Sequence, residues 1–404
     1  MQSALRPQNV PPRLRRQMLL AGGLLLCMWL LSVCLGWSYL CTHPESVYGF
    51  LPGLAVALYL LYQLKHNLGA NHRRGEAPHI FDTLGAANWI SLLRAGATVG
   101  LAGFLPLAIQ SDHPLPVFVN WAPGSIYLGI SMADLFDGYM ARIQQRETEL
   151  GKRLDIEADA AGLLVASLVA VALGRLPVIY LLVGMVYYPY ILGIWIRRKR
   201  ALAVTTLKQR PYARITAGFQ MGLVGMALLP VWNSDFTTVA AWIFMIPLLT
   251  GFVRDWWVVA GWIKTDADQR SALDNWARTW VFQVTPLVLR LIILGGGIVT
   301  LFSFGIYRIH PFWQTAHSFF CLSAGFGCMG RSASLGLLLL LAGTSSPFGT
   351  YPLSMVIYAA AAALMLVGTG AISIWAPEDP ILYRCRQNGS MPHCEVPCPW
   401  HNLR

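Results

Sequence analysis

Residues 134–159 read "DLFDGYMARIQQRETELGKRLDIEAD" and place four aspartates, Asp134, Asp137, Asp155 and Asp159, in a chain that is otherwise apolar and basic. Of its 404 residues 55% are hydrophobic and only 12% are charged, and the mean hydropathy is +0.51. Water would leave too much of that apolar surface uncovered, so the composition predicts an integral, polytopic, all-α membrane protein. Ionisable groups are expensive in such a setting and usually have a task.

Helical spacing gives the four acids a direction. Asp134, Asp137 and Ala141 fall at i, i+3 and i+7 of one predicted helix, and Gly151, Asp155 and Asp159 at i, i+4 and i+8 of the next, so each set shares a face. Two antiparallel neighbours can then aim four carboxylates into one cavity near a membrane surface. Four anions in a low dielectric repel one another unless cations sit among them. Hard oxygen donors suit magnesium, manganese or calcium, and magnesium characteristically shares its coordination with substrate phosphates. Gly138 and Gly151 remove side chains where a ligand would approach the backbone, and Arg142 adds a fixed cation suited to a phosphate. The competing reading is a solvated loop in which acids pair with Arg142, Arg146, Lys152 and Arg153; it is assigned to Glu147, Glu149 and Glu157.

Outward from this segment, about eleven stretches are apolar enough to cross a bilayer, which takes roughly 20 residues of helix. They are 17–39, 47–64, 89–109, 116–140, 156–174, 177–196, 212–231, 238–262, 281–304, 315–343 and 351–375, and the tenth, interrupted by Arg331 and several glycines, reads equally as two shorter segments. The net charge of +11 follows topology. Basic residues precede the first span (Arg6, Arg13, Arg15, Arg16) and follow the second, fourth, sixth and eighth, including Arg197, Arg198, Lys199 and Arg200, while alternate loops are nearly bare. This positive-inside pattern puts the N-terminus and the acidic cluster on the cytoplasmic side, beside anionic lipid headgroups, and excludes nucleic acid as the partner. The first span is too long for a signal peptide and lacks a cleavage site, so it reads as a retained helix. Cys27, Cys34, Cys321 and Cys328 lie in apolar spans and read as packing residues.

Three blocks follow. Residues 1–85 hold a basic tail and two helices; 86–265 hold six spans and nearly all the intramembrane charge; 266–404 hold a linker, three to four spans and a tail with Cys385, His393, Cys394, Cys398 and His401. Those tail residues match no established zinc spacing, and disulfides explain them as well. His310, His317 and Arg331 read as interfacial or helix-end residues. The last block, with "GTGAISIWAPEDP" at 368–380, resembles DoxX-like four-helix membrane proteins.

Asp134, Asp137, Gly138, Ala141, Arg142, Gly151, Asp155 and Asp159 match all eight fixed positions of D-x-x-D-G-x-x-A-R-x8-G-x-x-x-D-x-x-x-D, and the segment thereby resembles the CDP-alcohol phosphatidyltransferases. "ANWISLLRAG" (87–96) is similar to that family's opening segment, with Ala87 where proline is common. "RPYARITAGFQMG" (210–222) is similar to a segment of the phosphatidylglycerophosphate synthases, with Arg214 in place of lysine, and "GFVRDWW" (251–257) to their later pair, here Arg254 and Asp255. The resemblance implies a six-helix catalytic core, extended here at both ends by further helices, and a homodimer. It implies that Asp134, Asp137, Asp155 and Asp159 hold two Mg2+ or Mn2+ ions, with Asp159 also the general base. It implies that Asp134, Gly138, Ala141, Arg142 and Gly151 hold the CDP moiety, and that Lys208, Arg210, Arg214 and Arg254 meet acceptor or lipid phosphate.

The implied reaction transfers a phosphatidyl group from CDP-diacylglycerol to a small, possibly phosphorylated alcohol with release of CMP. The same motif serves the inverse arrangement, in which a CDP-linked small alcohol meets diacylglycerol. Outside the family, a cation transporter is the competing class, although such sites usually lie at the bilayer midplane on broken helices. The glycerophosphate and serine enzymes carry lysine directly after the last aspartate, whereas Ala160 and Ala161 follow Asp159 here.

Overall fold

A computed structural model of the chain describes residues 10–36, 44–73, 80–109, 117–143, 147–205, 211–263, 280–307, 309–370, 372–378, 385–388 and 391–394. Within those elements the side chains at 44–46, 135, 137–143, 211, 212, 214, 303–307, 385–388 and 391–394 lie outside the description.

The described α-helices are α1 (Pro12–Leu35), α2 (Leu51–Asn67), α3 (Ala86–Ala102), α4 (Leu105–Ile109), α5 (Val117–Ile143), α6 (Glu149–Ala172), α7 (Leu181–Met185), α8 (Tyr187–Lys199), α9 (Pro211–Ala227), α10 (Ser234–Val259), α11 (Thr285–Tyr307), α12 (Pro311–Phe326), α13 (Gly330–Ala342) and α14 (Pro352–Val367). Strands β1 (Cys385–Asn388) and β2 (Met391–Cys394) pair antiparallel in the tail, with Cys385 opposite Cys394 in register.

Five helices among the described residues are long and apolar enough to span a membrane, and six if the bent pair α7 and α8, meeting at 41°, is one span. The chain is thus a multi-pass membrane protein of helices, and the described residues do not confirm a count of about eleven spans. The expected tenth span comes as two helices, α12 and α13, of 16 and 13 residues. They part where Gly327 and Met329 both take left-handed backbone, at φ 70° and 49°. Cys27 and Cys34 are exposed on α1 and do not pack into a core, whereas Cys321 is buried.

The described chain divides into two compact units, one of residues 1–187 with 224–230, the other of 188–223 with 231–404. In the first, α3 lies along α5 and α6, while α1 and α2 pack on α3 and α2 also on α6. The apolar seams are continuous: Leu14, Leu64, Leu84, Leu92, Leu150 and Leu154 form one cluster, and Leu25, Ala57, Leu60, Val99, Ala158 and Ala161 another. Small residues set the spacing. A Cβ on Gly53 would touch Val99 O and Ala102 at 3.4 Å, and one on Gly22 would meet Leu61 at 3.0 Å. In the second unit, Asn233 caps α10 by accepting from Asp235 N, and Gln220, fully buried, donates to Phe244 O.

Candidate active site

The site is built on α3, α5 and α6. The segment "ANWISLLRAGAT" winds so that Asn88, Ser91, Arg94 and Thr98 form one stripe, and all four are buried. Ser91 and Thr98 donate back to the carbonyls of Ala87 and Arg94, so both hydroxyls are satisfied between the helices. α6 begins where Thr148, in extended backbone, accepts from Gly151 N at 2.9 Å; Glu149 in the first turn complements the helix dipole. Gly151 sits where α6 meets α3: a Cβ there would stand 2.5 Å from Asn88 Oδ1 and 3.1 Å from Thr148 Oγ1.

Arg94 is the centre of the arrangement. Its guanidinium donates to Asp155 at 3.0 Å and to Asp134 at 2.8 Å, and makes a further, very close pair with Asp159. The arginine side chain is 3% exposed, but those of Asp134, Asp155 and Asp159 are 37%, 42% and 30% exposed. The cation is therefore sealed beneath, and the carboxylates keep an open face. Three carboxylates against one guanidinium leave those side chains a formal charge of −2, from three negative and one positive group. Ligand oxygens of Asp134, Asp155 and Asp159 lie within 4.8 Å of one another. All are hard donors, and their summed charge with Arg94 balances that of one divalent cation, so the residues fit a hard divalent cation and do not suit a soft metal.

The structure thus brings together Asp134, Asp155 and Asp159 from helices expected to converge. The side chains of Asp137, Gly138, Ala141, Arg142 and Arg214 lie outside the described residues, as do Lys208 and Arg210 altogether. Arg254, expected to meet acceptor or lipid phosphate, is exposed on α10. Arg94, absent from the anticipated ligand set, is the residue sequence reasoning undervalued; its signal is a charged residue within an apolar helix, which needs a partner.

Glu157 departs from its sequence reading. It is no solvated acid paired with arginine: its two oxygens accept from Tyr59 Oη at 2.5 Å and Tyr187 Oη at 2.8 Å, while neighbouring Arg153 donates to Asn67 Oδ1 at 2.7 Å. In the C-terminal block, His310 caps α12 by accepting from Phe312 N, and His317 is buried against the ring of Phe348.

Compared with known proteins, residues 84–253 match the family model of the CDP-alcohol phosphatidyltransferases. No curated protein and no solved structure matches the chain.

Proposed function

Residues 84–253 make up a CDP-alcohol phosphatidyltransferase domain, of a family of phosphotransferases in phospholipid biosynthesis, and from that premise we propose that the chain moves a phosphatidyl group from CDP-diacylglycerol to a small alcohol and releases CMP. The observation that carries this is the open-faced triad of Asp134, Asp155 and Asp159 over a buried Arg94.

Each group then has work. A divalent cation bound by the triad would neutralise the pyrophosphate and make CMP a better leaving group. Arg94 holds the three carboxylates at fixed separation, so little reorganisation is needed as substrate arrives. Asp159 is the general base: it takes the proton of the acceptor hydroxyl, whose oxygen bonds to the phosphorus carrying the lipid. The bond from that phosphorus to the oxygen of CMP breaks, and CMP departs with the electron pair. Such a displacement depends on in-line positioning and charge neutralisation more than on covalent help. Asp137 completes the ligand set, and Gly138, Ala141, Arg142 and Gly151 line the CDP moiety. Lys208, Arg210 and Arg214 meet the phosphate of a phosphorylated polyol acceptor. The basic residues of alternate loops support a site at the cytoplasmic leaflet.

The test is an assay of the purified full chain with Mg2+ or Mn2+, offering CDP-diacylglycerol with a panel of alcohols, and separately CDP-linked alcohols with diacylglycerol. CMP release and a new phospholipid by mass spectrometry in the first arm are expected. Product in the second arm alone would reverse the direction proposed.

A further inference from the structure

The polar network around Glu157 lies on the far side of α6 from the site. At about 100° per residue, Glu157 stands roughly 160° around the helix from both Asp155 and Asp159, while Arg153, four residues before it, shares its face. On α2, Tyr59, Gln63 and Asn67 at i, i+4 and i+8 form the answering stripe. The links run in series. Tyr187 and Tyr59 each donate to one oxygen of Glu157; Gln63 donates to Tyr59 Oη at 3.0 Å; Asn67 donates to Gln63 O at 2.9 Å and accepts from Arg153.

A carboxylate is a costly choice for an interhelical seam that apolar residues fill on either side, where Leu60, Leu64 and Ala57 face Ala158, Ala161 and Leu154. Leucine at 157 would bury apolar area at no desolvation cost. Apolar contacts tolerate a few degrees of helix rotation, whereas hydrogen bonds to both carboxylate oxygens, from Tyr59 and from Tyr187 at the start of α8, do not. A small rotation of α6 would swing Asp155 and Asp159 off Arg94.

We propose that Glu157, held by Tyr59 and Tyr187, is a positioning residue that sets the rotation of α6 and thereby the aim of Asp155 and Asp159. The helix α2, which lies before the family-matched segment 84–253, is on this account a working part of the transferase. The inference rests on the function proposed above.

The test uses the full chain in detergent with Mn2+ as the probe, read by electron paramagnetic resonance titration alongside CMP release and thermal unfolding. Tyr59→Phe and Glu157→Gln are each expected to weaken Mn2+ binding by about tenfold and to lower kcat more than they raise KM for the CDP-lipid. The double variant is expected to be no worse than Glu157→Gln alone, because both changes cut one link. Mn2+ affinity and kcat within about twofold of wild type for folded Tyr59→Phe and Glu157→Gln would overturn the proposal. Should Glu157→Gln fail to fold, Tyr59→Phe, which removes one hydroxyl, decides alone. A wild-type protein that neither binds Mn2+ nor releases CMP overturns the parent function instead, and that result is read before any variant is made.

Discussion

Arg94 is enclosed by carboxylates, whereas Arg290 is enclosed by main-chain carbonyls. Both arginines are buried on apolar helices. Arg290 donates to Gly325 O, near the end of α12, and to Thr369 O and Ile372 O, just beyond the end of α14. Arg331 likewise donates to Met365 O in the last turn of α14, and its own N–H is capped by Glu378. Helix C-termini expose carbonyls without intrahelical partners and carry partial negative charge, so these cations close chain ends. Gly327, at φ 70°, completes that knot, since a Cβ would stand 2.9 Å from the Arg290 guanidinium carbon. The lesson is that a buried charge in a membrane protein marks chemistry only when its partners are themselves titratable and open to a ligand. Arg94 meets that condition on all three sides.

Five changes test the contrast between the two arginines and their surroundings, beginning with the one that should matter most. Chelating divalent cations should take CMP release to background, and returning Mg2+ or Mn2+ should restore it, as a steady-state assay will record. Replacing Arg94 with Met should cost on the order of 2 kcal/mol in chelator, less than a fully buried pair because the carboxylates are wet. Mn2+ should recover most of that loss, since a bound ion replaces the missing positive charge. Arg290→Met should destabilise by a similar amount, about 2 kcal/mol, with no recovery in Mn2+. Thermal unfolding with and without Mn2+ reads both variants, and equal rescue would erase the distinction between the two arginines. Gly151→Ala should cost about 1–3 kcal/mol by forcing Asn88 away from the start of α6, measured by the same melts. Arg254→Gln, at an exposed position, should change stability by no more than about 0.5 kcal/mol.

Local pattern made the helices and the acidic faces legible. Spacing alone put Asp134 on one helix and Asp155 with Asp159 on another, and the glycines interrupting the tenth stretch hinted at its division into α12 and α13, although Arg331, read as part of that interruption, lies within α13. What periodicity does not encode is which helix meets which. Arg94 and its carboxylate partners are separated by up to 65 residues, and Tyr59 lies 98 residues from Glu157. Glu157 looked solvated because its sequence neighbours are charged; its true partners are tyrosines brought in by other helices.

Phosphatidyl transfer by the aspartate triad over Arg94, with Asp159 as the base, stands or falls on CMP release from CDP-diacylglycerol, in Mg2+ or Mn2+ and across a panel of alcohols, for wild type and Asp159→Asn side by side. Release by wild type and a loss of about 10²–10⁴-fold in Asp159→Asn are expected. Equal rates in the two proteins, or no CMP from wild type with any acceptor, would rule the mechanism out.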